Sequence, residues 1–233
     1  MNLFYTPDFK DGFYKLPEAE SKHVVRVLRM TAGDPVFLTD GIGNMIEASI
    51  VDADPKRCVV KASRIIREYQ KRPFYLHIAI APTKNIERFE WFLEKSTEIG
   101  IDVITPLICN HSERTKINSD RLQKVIIAAI KQSLKAYLPK LDQPVTFKQF
   151  VKKPFEGDKF IAYCGESESI ELAKIYRKGA KALILIGPEG DFSFEEVESA
   201  KKQGFVPISL GKSRLRTETA GIVACHTVNL MNG

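Results

Sequence analysis

The sequence predicts an α/β protein: a mostly parallel sheet with helices on both faces, preceded by a small β-rich domain. After residue 73 the chain alternates strand-like and helix-like segments, which is typical of a parallel sheet. Before that point it shows strand patterns with one helix, and the polar segment "REYQKRP" between the two parts is suited to a linker. We therefore predict two domains, at residues 1–70 and 71–233.

A hairpin and a basic helix are predicted in the N-terminal part. "VFLTDGIGNMIEASIV" contains two strand-like runs around Asp40-Gly41-Ile42-Gly43, a turn signal of β-hairpins. "RCVVKASRII" predicts a further strand. Residues 21–30 ("SKHVVRVLRM") predict a short amphipathic helix that carries Lys22, Arg26 and Arg29. These three side chains either form a solvated face or contact a phosphate backbone.

The C-terminal part supplies the alternating elements. Its predicted strands are "FYLHIAIA", "DVITPLIC", "DKFIAYC", "KALILIG" and "VPISL". Its predicted helices are "IERFEWFLEKSTEIG", "SDRLQKVIIAAIKQSLKAYL", a short one at residues 172–176, one from Phe194 and a last one, "ETAGIVACHTVNLM". Ser119 could cap the second of these helices.

Composition and charge exclude some classes of protein. Lys and Arg outnumber Asp and Glu by 35 to 29, a formal charge of +6 that fits either a solvated surface or a nucleic acid partner. The four cysteines form no CxxC pair, so we expect no metal site and no disulfide framework. The N-terminus lacks an apolar core and no apolar run reaches membrane-spanning length, so we expect a soluble, cytoplasmic protein. Cys225 and the histidines are expected to be structural.

The stretch "LILIGPEGDFSFEEV" combines an apolar strand, a glycine turn and a helix start. Ser193 followed by Glu196 predicts a capping box. The turn has neither the Lys and Ser or Thr of a Walker loop nor the glycine spacing of a dinucleotide fingerprint. Its Glu189 and Asp191 would repel a pyrophosphate and suit a ligand with hydroxyl groups or a positive charge. A simple tight turn is the alternative interpretation.

A second strand, glycine turn and helix follow in "SLGKSRLRTETAGIVA". Gly211 lies at the turn, Arg214 and Arg216 precede the helix, and Thr217 or Thr219 could cap it. Successive units of this kind in a parallel sheet open on the same edge, so we expect the acidic and the basic turn to share one site. The alternative interpretation is a basic loop that is simply exposed to solvent.

Together, "LIGPEGDFSFEEVE" and "LGKSRLRTETA" resemble the paired motifs of the RsmE-type 16S rRNA uridine-N3 methyltransferases of the SPOUT superfamily. The resemblance extends to "KNIERFEWFLEKSTEIGIDVITPL", "SERT" and "AAIKQSLKAYLPKL", and the N-terminal part is similar to the PUA-like RNA-binding domain of that family. It implies a C-terminal trefoil knot, S-adenosyl-L-methionine as cofactor, and a homodimer that acts on 16S rRNA in the small ribosomal subunit. Asp191 departs from the family pattern by replacing a glycine, and Lys135 by replacing an arginine.

The resemblance also implies site residues. The cofactor-binding set is Leu185, Ile186, Gly187, Pro188, Glu189, Gly190, Leu210, Gly211, Ser213, Leu215, Thr219 and Ala220. The predicted RNA-binding set combines Lys22, Arg26 and Arg29 of the basic helix and Arg114 of a basic cluster, which come from the charge pattern, with Lys135, which comes from the resemblance. Uridine N3 must lose its proton as it attacks the methyl group, so the enzyme needs a base or stabilising cations. Arg216 and then Lys84 are the candidate cations, and Glu218 is a candidate base that could equally be a capping or ion-pair residue.

Two other functions stay open. The chain could be another SPOUT RNA methyltransferase, acting on a ribose 2'-hydroxyl or on tRNA, and the chain-wide match to the uridine-N3 type argues against this. It could also be a non-catalytic RNA-binding assembly factor. The intact glycine turns, together with Arg216 and Glu218, argue against that second alternative.

Overall fold

Two β-sheets organise the part of the chain that the structure, a computed structural model, describes: residues 2–163, 165 and 169–233. The chain forms two compact units. The first unit consists of Met1–Lys71 with Ile127–Leu138, and the second of Arg72–Ile126 with Pro139–Gly233. The predicted boundary near residue 70 follows sequence order, whereas the first unit also includes a later segment of the chain.

The first unit contains a five-stranded sheet in the order β1-β3-β4-β5-β2. Its strands are β1 (Leu3–Tyr5), β2 (Phe13–Lys15), β3 (Pro35–Thr39), β4 (Met45–Asp52) and β5 (Val59–Ile66). All neighbours pair antiparallel except β1 and β3, which are parallel. The pairing of β3 with β4 confirms the predicted hairpin. The core of this unit includes Phe4, Leu16, Val24, Leu38, Ile46, Ile50 and Val60.

The basic helix of the first unit differs from its prediction at residues 21–30. Helix α1 spans Glu18–Lys22 and continues as a π-helical turn over His23–Val27. It begins earlier because Pro17 precedes it, and the missing N–H of a proline costs nothing at a helix start. It ends earlier because Arg29 has a positive φ of 55°, which lies outside helical geometry.

The second unit contains an eight-stranded sheet whose strand pairs are all parallel. Its strands are β6 (Tyr75–Ile80), β7 (Val103–Ile108), β8 (Lys140–Leu141), β9 (Val145–Thr146), β10 (Asp158–Ala162), β11 (Ile170–Glu171), β12 (Lys181–Ile186) and β13 (Val206–Ser209). The order is β11-β13-β10-β12-β6-β7-β8, with β9 beside β7. The predicted parallel sheet is confirmed. In the predicted strand "DKFIAYC", Cys164 lies outside the described residues.

Helices cover both faces of the second sheet. They are α2 (Ile86–Ile99), α3 (Ser119–Ser133), α4 (Phe147–Phe150), α5 (Leu172–Ile175), α6 (Phe194–Lys202) and α7 (Thr217–Asn232). On one face Leu183 and Leu185 belong to the same apolar cluster as Val197 and Ala200 of α6. On the other face α2 and α7 pack together and α7 contacts β6.

The helix starts follow local hydrogen-bond chemistry. The capping box of Ser193 and Glu196 at the start of α6 is confirmed, with both reciprocal bonds present. At α3 the Oδ1 atom of Asn118 accepts from the Arg121 N–H at 3.1 Å. The predicted cap at Ser119 is therefore wrong, because Ser119 is already the first helical residue.

Helix α7 lies directly against α2 and β6. A Cβ added at Gly221 would stand 2.6 Å from Phe92 Cε2 and 2.8 Å from Ile80 Cδ1, so this close approach requires a glycine. Cys225, one turn further along, is buried as predicted. Burial also lowers the pKa of His77 to about 4, so its imidazole is neutral at pH 7 and fits the predicted structural role.

Candidate active site

A cavity of about 450 Å³ opens at the carboxyl ends of β10, β12 and β13. The first loop, residues 187–193, follows β12, and the second loop, residues 210–216, follows β13. Both loops line this cavity, as expected for turns on one edge of a parallel sheet. A volume of this size suits a small-molecule ligand.

The predicted cofactor-binding set overlaps with the cavity lining only in part. The shared residues are Ile186, Gly187, Pro188, Glu189, Leu210, Gly211, Ser213, Leu215 and Ala220. Leu185, Gly190 and Thr219 are not among the lining residues. Leu185 instead packs into the core, because side chains alternate between the two faces along β12. A Cβ at Gly190 would meet the Cβ of His111 at 3.1 Å.

Sequence reasoning missed the part of the cavity that β10 provides. Ala162 and Tyr163 at the end of this strand, and Ser169 before β11, line the cavity. Strand β10 stands between β12 and β13, and no local sequence pattern states the strand order of a parallel sheet. The other lining residues outside the predicted set are Asp191, Ile208, Ser209, Lys212, Arg214 and Thr217.

Hydrogen bonds hold the first loop from two sides. The Glu189 carboxylate accepts from the Lys84 N–H at 2.9 Å. His111 Nδ1 lies 3.1 Å from the carbonyl oxygen of Gly190 and 3.0 Å from that of Asp191. Because carbonyl oxygens only accept, His111 Nδ1 carries the proton and donates to both. The acidic turn is therefore a preformed wall of the cavity.

Lys84 and Arg114 belong to the segments next to the first loop. Arg114 donates from Nε to the Thr83 carbonyl at 3.1 Å and from Nη2 to the Lys84 carbonyl at 2.7 Å. Lys84 Nζ lies 2.7 Å from Glu113 Oε2, and this hydrogen bond raises the pKa of the lysine. Lys84 is therefore a cation at neutral pH and is unsuited as a base. Arg114 thus binds the main-chain carbonyl groups of Thr83 and Lys84. The sequence predicted RNA binding for Arg114 and not this contact.

The second loop presents exposed cations. Gly211 has a φ of 118°, a conformation that glycine adopts without strain. The side chains of Lys212, Arg214 and Arg216 are exposed, and they make no hydrogen bond or ion pair with any residue that the structure describes. With Glu189 on the first loop, the cavity thus offers both signs of charge, which matches a ligand that itself carries both.

Helix α7 begins at the edge of the cavity. Arg216 holds its N-cap position without a side-chain capping bond, so the predicted caps at Thr217 and Thr219 are wrong. Thr217 is the first helical residue and lines the cavity. Glu218 is buried, with 7% of its surface exposed, and its Oε1 lies 4.0 Å from Arg88 Nε. This burial makes Glu218 a poor candidate for a base that must reach an RNA nucleotide.

The predicted RNA-binding residues of the first unit lie mostly on its surface. Lys22, Arg26 and Arg29 are exposed, and Lys22 pairs with Glu18 at 2.6 Å. Lys135 is half-buried. Across the described ranges, no three His, Cys, Asp or Glu side chains are grouped so that they could hold a metal ion. None of the described helices has the length and apolar character that crossing a membrane requires.

Comparison with known proteins identifies the family. Residues 70–229 match the family model of the RNA methyltransferase domain, and residues 16–63 match that of the RNA methyltransferase PUA domain. A ribosomal RNA small subunit methyltransferase E from Buchnera aphidicola subsp. Acyrthosiphon pisum (strain APS) is 30% identical over 228 residues, which covers 95% of this chain and 89% of that relative.

Solved structures agree with this assignment. A probable rRNA-methyltransferase from Porphyromonas gingivalis superposes with a TM-score of 0.91 at 45% identity, covering 99% of each chain. A ribosomal RNA small subunit methyltransferase E from Neisseria gonorrhoeae, bound to S-adenosyl methionine, has a TM-score of 0.88 at 26% identity, covering 100% of this chain and 98% of that one. The predicted SPOUT-type α/β domain with an N-terminal PUA-like sheet is confirmed, whereas the trefoil knot stays a prediction. The chain therefore belongs to the ribosomal RNA small subunit methyltransferase E family.

Proposed function

We propose that this protein transfers a methyl group from S-adenosyl-L-methionine to N3 of a uridine in 16S rRNA. The observation that carries the proposal is the cavity shared by an acidic, preformed loop and a basic loop that ends in the exposed Arg216. In this reaction the N3–H bond and the sulfur–methyl bond break while an N3–methyl bond forms. The released products are S-adenosylhomocysteine and a proton.

The residues around the cavity fit this cofactor. When bound, S-adenosyl-L-methionine supplies an electrophilic methyl group on a sulfonium, together with an ammonium and a carboxylate. Glu189 and Asp191 offer negative charge on the first loop, and Lys212 and Arg214 offer positive charge on the second. Main-chain groups at Gly187 and Gly211 allow close approach, because neither residue has a side chain.

Arg216 is the residue that we assign to the transition state. Uracil becomes anionic as N3 loses its proton, and a guanidinium beside the base stabilises such charge most at that moment. Lys84, held as a cation by Glu113, is the second candidate for this role. Glu218 is assigned to the support of the site rather than to proton transfer, because its carboxylate is buried.

The proposed substrate is RNA within the small ribosomal subunit. The exposed Lys22, Arg26 and Arg29 of the first unit are suited to phosphate contacts, which position RNA without reading its sequence. Such a substrate would place the protein in the cytoplasm, where ribosomal subunits are assembled. A homodimer is part of the proposal, and the exposed apolar side chains of Trp91 and Leu230, 43% and 67% exposed, are candidates for its interface.

Mapping of methylated nucleosides tests the proposal. Small subunits from cells that lack this protein would be incubated with the purified protein and S-adenosyl methionine labelled on its methyl group. We expect label in 3-methyluridine from one nucleotide of 16S rRNA, located by ribonuclease digestion and mass spectrometry. Label in a 2'-O-methylated nucleoside or in tRNA would replace this function with another methyltransferase activity, and binding of rRNA without any label would indicate an assembly factor.

A further inference from the structure

Glu218 is a buried carboxylate whose hydrogen bonding is incomplete. Its Oε2 atom is buried and has no hydrogen-bond partner in the described part of the chain. Its Oε1 atom lies 4.0 Å from Arg88 Nε, within ion-pair range but beyond the usual length of a charged hydrogen bond. Burying an ionised carboxylate is costly unless a charged partner compensates. Arg88 is the cation that the structure places beside it.

Arg88 approaches Glu218 from the first turn of α2. This helix starts at Ile86, so Arg88 is its third residue, and the arginine side chain is 44% exposed. The helices α2 and α7 are locked together at Gly221, where an added Cβ would stand 2.6 Å from a Phe92 ring atom. The backbones that carry Arg88 and Glu218 are therefore held by close helix packing rather than by a flexible loop.

The first turn of α7 connects this pair to the cavity. Thr217 and Ala220 lie on either side of Glu218 in the helix, and both line the cavity. The carbonyl oxygen of Arg216, at the N-cap position, accepts from the Ala220 N–H at 2.7 Å. Any shift of the Glu218 side chain that moves this turn also moves a cavity wall and the backbone of Arg216.

We propose that Arg88 is a positioning residue for methyl transfer, acting through Glu218. The expected effect of Arg88 on turnover rests on the proposed function, whereas its expected effect on cofactor affinity does not. The Arg88 guanidinium, 4.0 Å from Oε1, holds the buried Glu218 carboxylate in place in the α2–α7 packing. That anchor holds the first turn of α7 so that Thr217 and Ala220 shape the cavity and Arg216 faces the substrate.

A double-mutant cycle tests this role. The variants are Arg88→Met, Glu218→Gln and the two combined, with Arg88→Lys as the conservative change. Lys95→Met is the matched control, because Lys95 lies on the same helix and pairs with Glu94 and Glu98 at 2.7 Å and 3.0 Å. The dissociation constant for S-adenosyl methionine is measured by calorimetry, the melting temperature by circular dichroism, and turnover with small subunits.

Arg88→Met leaves a buried carboxylate without its cation, so we expect cofactor affinity to fall about tenfold or more and turnover to fall with it. In the Glu218→Gln background the same change should cost less than about threefold, because the neutral amide no longer needs a cation. Arg88→Lys should restore part of the affinity, and Lys95→Met should leave it unchanged. Should Arg88→Met fail to fold, Arg88→Gln, which also removes the charge but keeps a polar side chain, replaces it in both backgrounds.

Two results would overturn the proposal. One is an equal loss of affinity from Arg88→Met in both backgrounds, which would mean that Arg88 does not act through Glu218. The other is a lower melting temperature with unchanged cofactor affinity, which would mean a purely structural pair. If the coupling in cofactor affinity holds while no uridine of 16S rRNA is methylated, the proposed function fails and the positioning role stands.

Discussion

The two loops that line the cavity are built differently, although both follow a parallel strand and contain glycine. The first loop, residues 187–193, is held by neighbouring segments through the Lys84 N–H, which donates to Glu189, and through His111, which donates to the carbonyl oxygens of Gly190 and Asp191. The second loop, residues 210–216, carries three exposed cations that have no ion pair among the described residues. One loop is thus preformed by the protein, and the other keeps its charged side chains available.

This contrast separates the expected effects of substitutions. In the first loop, side-chain hydrogen bonds and packing hold the backbone, so substitutions should lower stability and cofactor affinity together. In the second loop, the charged side chains contribute little to the packing of the protein. Substitutions there should instead change turnover and the binding of RNA or of the cofactor carboxylate, with little effect on the free energy of unfolding.

Arg216→Ala in the second loop is expected to have the largest effect. Turnover should fall about a hundredfold or more, because the variant removes the cation that we assign to the charge of the transition state. Cofactor affinity and melting temperature should stay close to those of the parent protein, since the Arg216 side chain makes no bond with the described residues. Single-turnover kinetics with small subunits, calorimetry and thermal melting measure the three quantities.

Arg216→Lys is the matched control for that variant. It keeps the charge but loses the planar fork of the guanidinium, so an intermediate turnover is expected. A folded, cofactor-bound Arg216→Ala protein with nearly normal turnover would contradict the catalytic role. Loss of activity that follows loss of the fold would assign the arginine to structure and weaken the contrast between the loops.

Gly187→Val in the first loop should lower both stability and cofactor affinity. A Cβ at this position would lie 3.1 Å from the Phe192 ring and 3.2 Å from the Phe192 backbone nitrogen, and Phe192 is buried against Phe147. Overpacking of this kind costs about 2 kcal/mol of unfolding free energy, measured by urea denaturation. Gly211→Ala is the comparison, because its added Cβ meets no atom within 4 Å and only its φ of 118° is unfavourable. A greater loss of cofactor affinity in Gly211→Ala than in Gly187→Val would mean that the second loop, rather than the first, contributes more to cofactor binding.

Local patterns predicted much of this architecture. The alternation of strands and helices predicted the parallel sheet, and the spacing of Ser193 and Glu196 predicted the capping box, because both depend on neighbours in sequence. The shared edge of the two glycine turns also followed, since the strands of a parallel sheet end on one side of it.

The remaining features depend on contacts between residues that are distant in sequence. Tyr163 lines the cavity because β10 lies between β12 and β13 in the sheet. This strand order cannot be predicted from the sequence of any one strand. Arg114 donates to main-chain carbonyl groups, and Glu218 is buried beside Arg88. From the sequence, Arg114 and Glu218 could be identified only as charged residues near a loop. The π-helical turn at His23–Val27, whose Val24 packs in the core of the first unit, was not predicted either.

Glu189→Ala should cause a smaller loss than Gly187→Val. The variant removes the acceptor of the Lys84 N–H, a single hydrogen bond at a solvent-exposed position, so unfolding free energy should fall by about 1 kcal/mol. Cofactor affinity should fall with it, because Glu189 lines the cavity. Glu189→Gln retains an acceptor oxygen and should keep most of the stability while losing the charge. Equal stability of the alanine and glutamine variants would show that this bond does not hold the first loop.

The smallest effect is expected when Lys212 and Arg214 are both changed to Ser in the second loop. Both side chains are exposed and line the rim of the cavity, so they are placed to meet either the cofactor carboxylate or an RNA phosphate. Because phosphate binding releases counterions, the logarithm of RNA affinity should depend less steeply on the logarithm of salt concentration. The slope should shrink by about 0.7 to 0.9 for each phosphate that the variant no longer neutralises. Filter binding of 16S rRNA across a salt series measures this slope.

The matched control for the second-loop cations replaces Lys178 and Lys202 with Ser, which removes the same net charge from exposed positions outside the cavity lining. Its salt dependence should stay closer to that of the parent protein, because long-range attraction alone is largely screened at physiological ionic strength. An unchanged slope together with weaker cofactor binding would assign Lys212 and Arg214 to the cofactor rather than to RNA. Equal slopes for the two double variants would mean that the second loop attracts RNA only through net charge. Its exposed cations would then contribute no more to RNA binding than cations elsewhere on the surface.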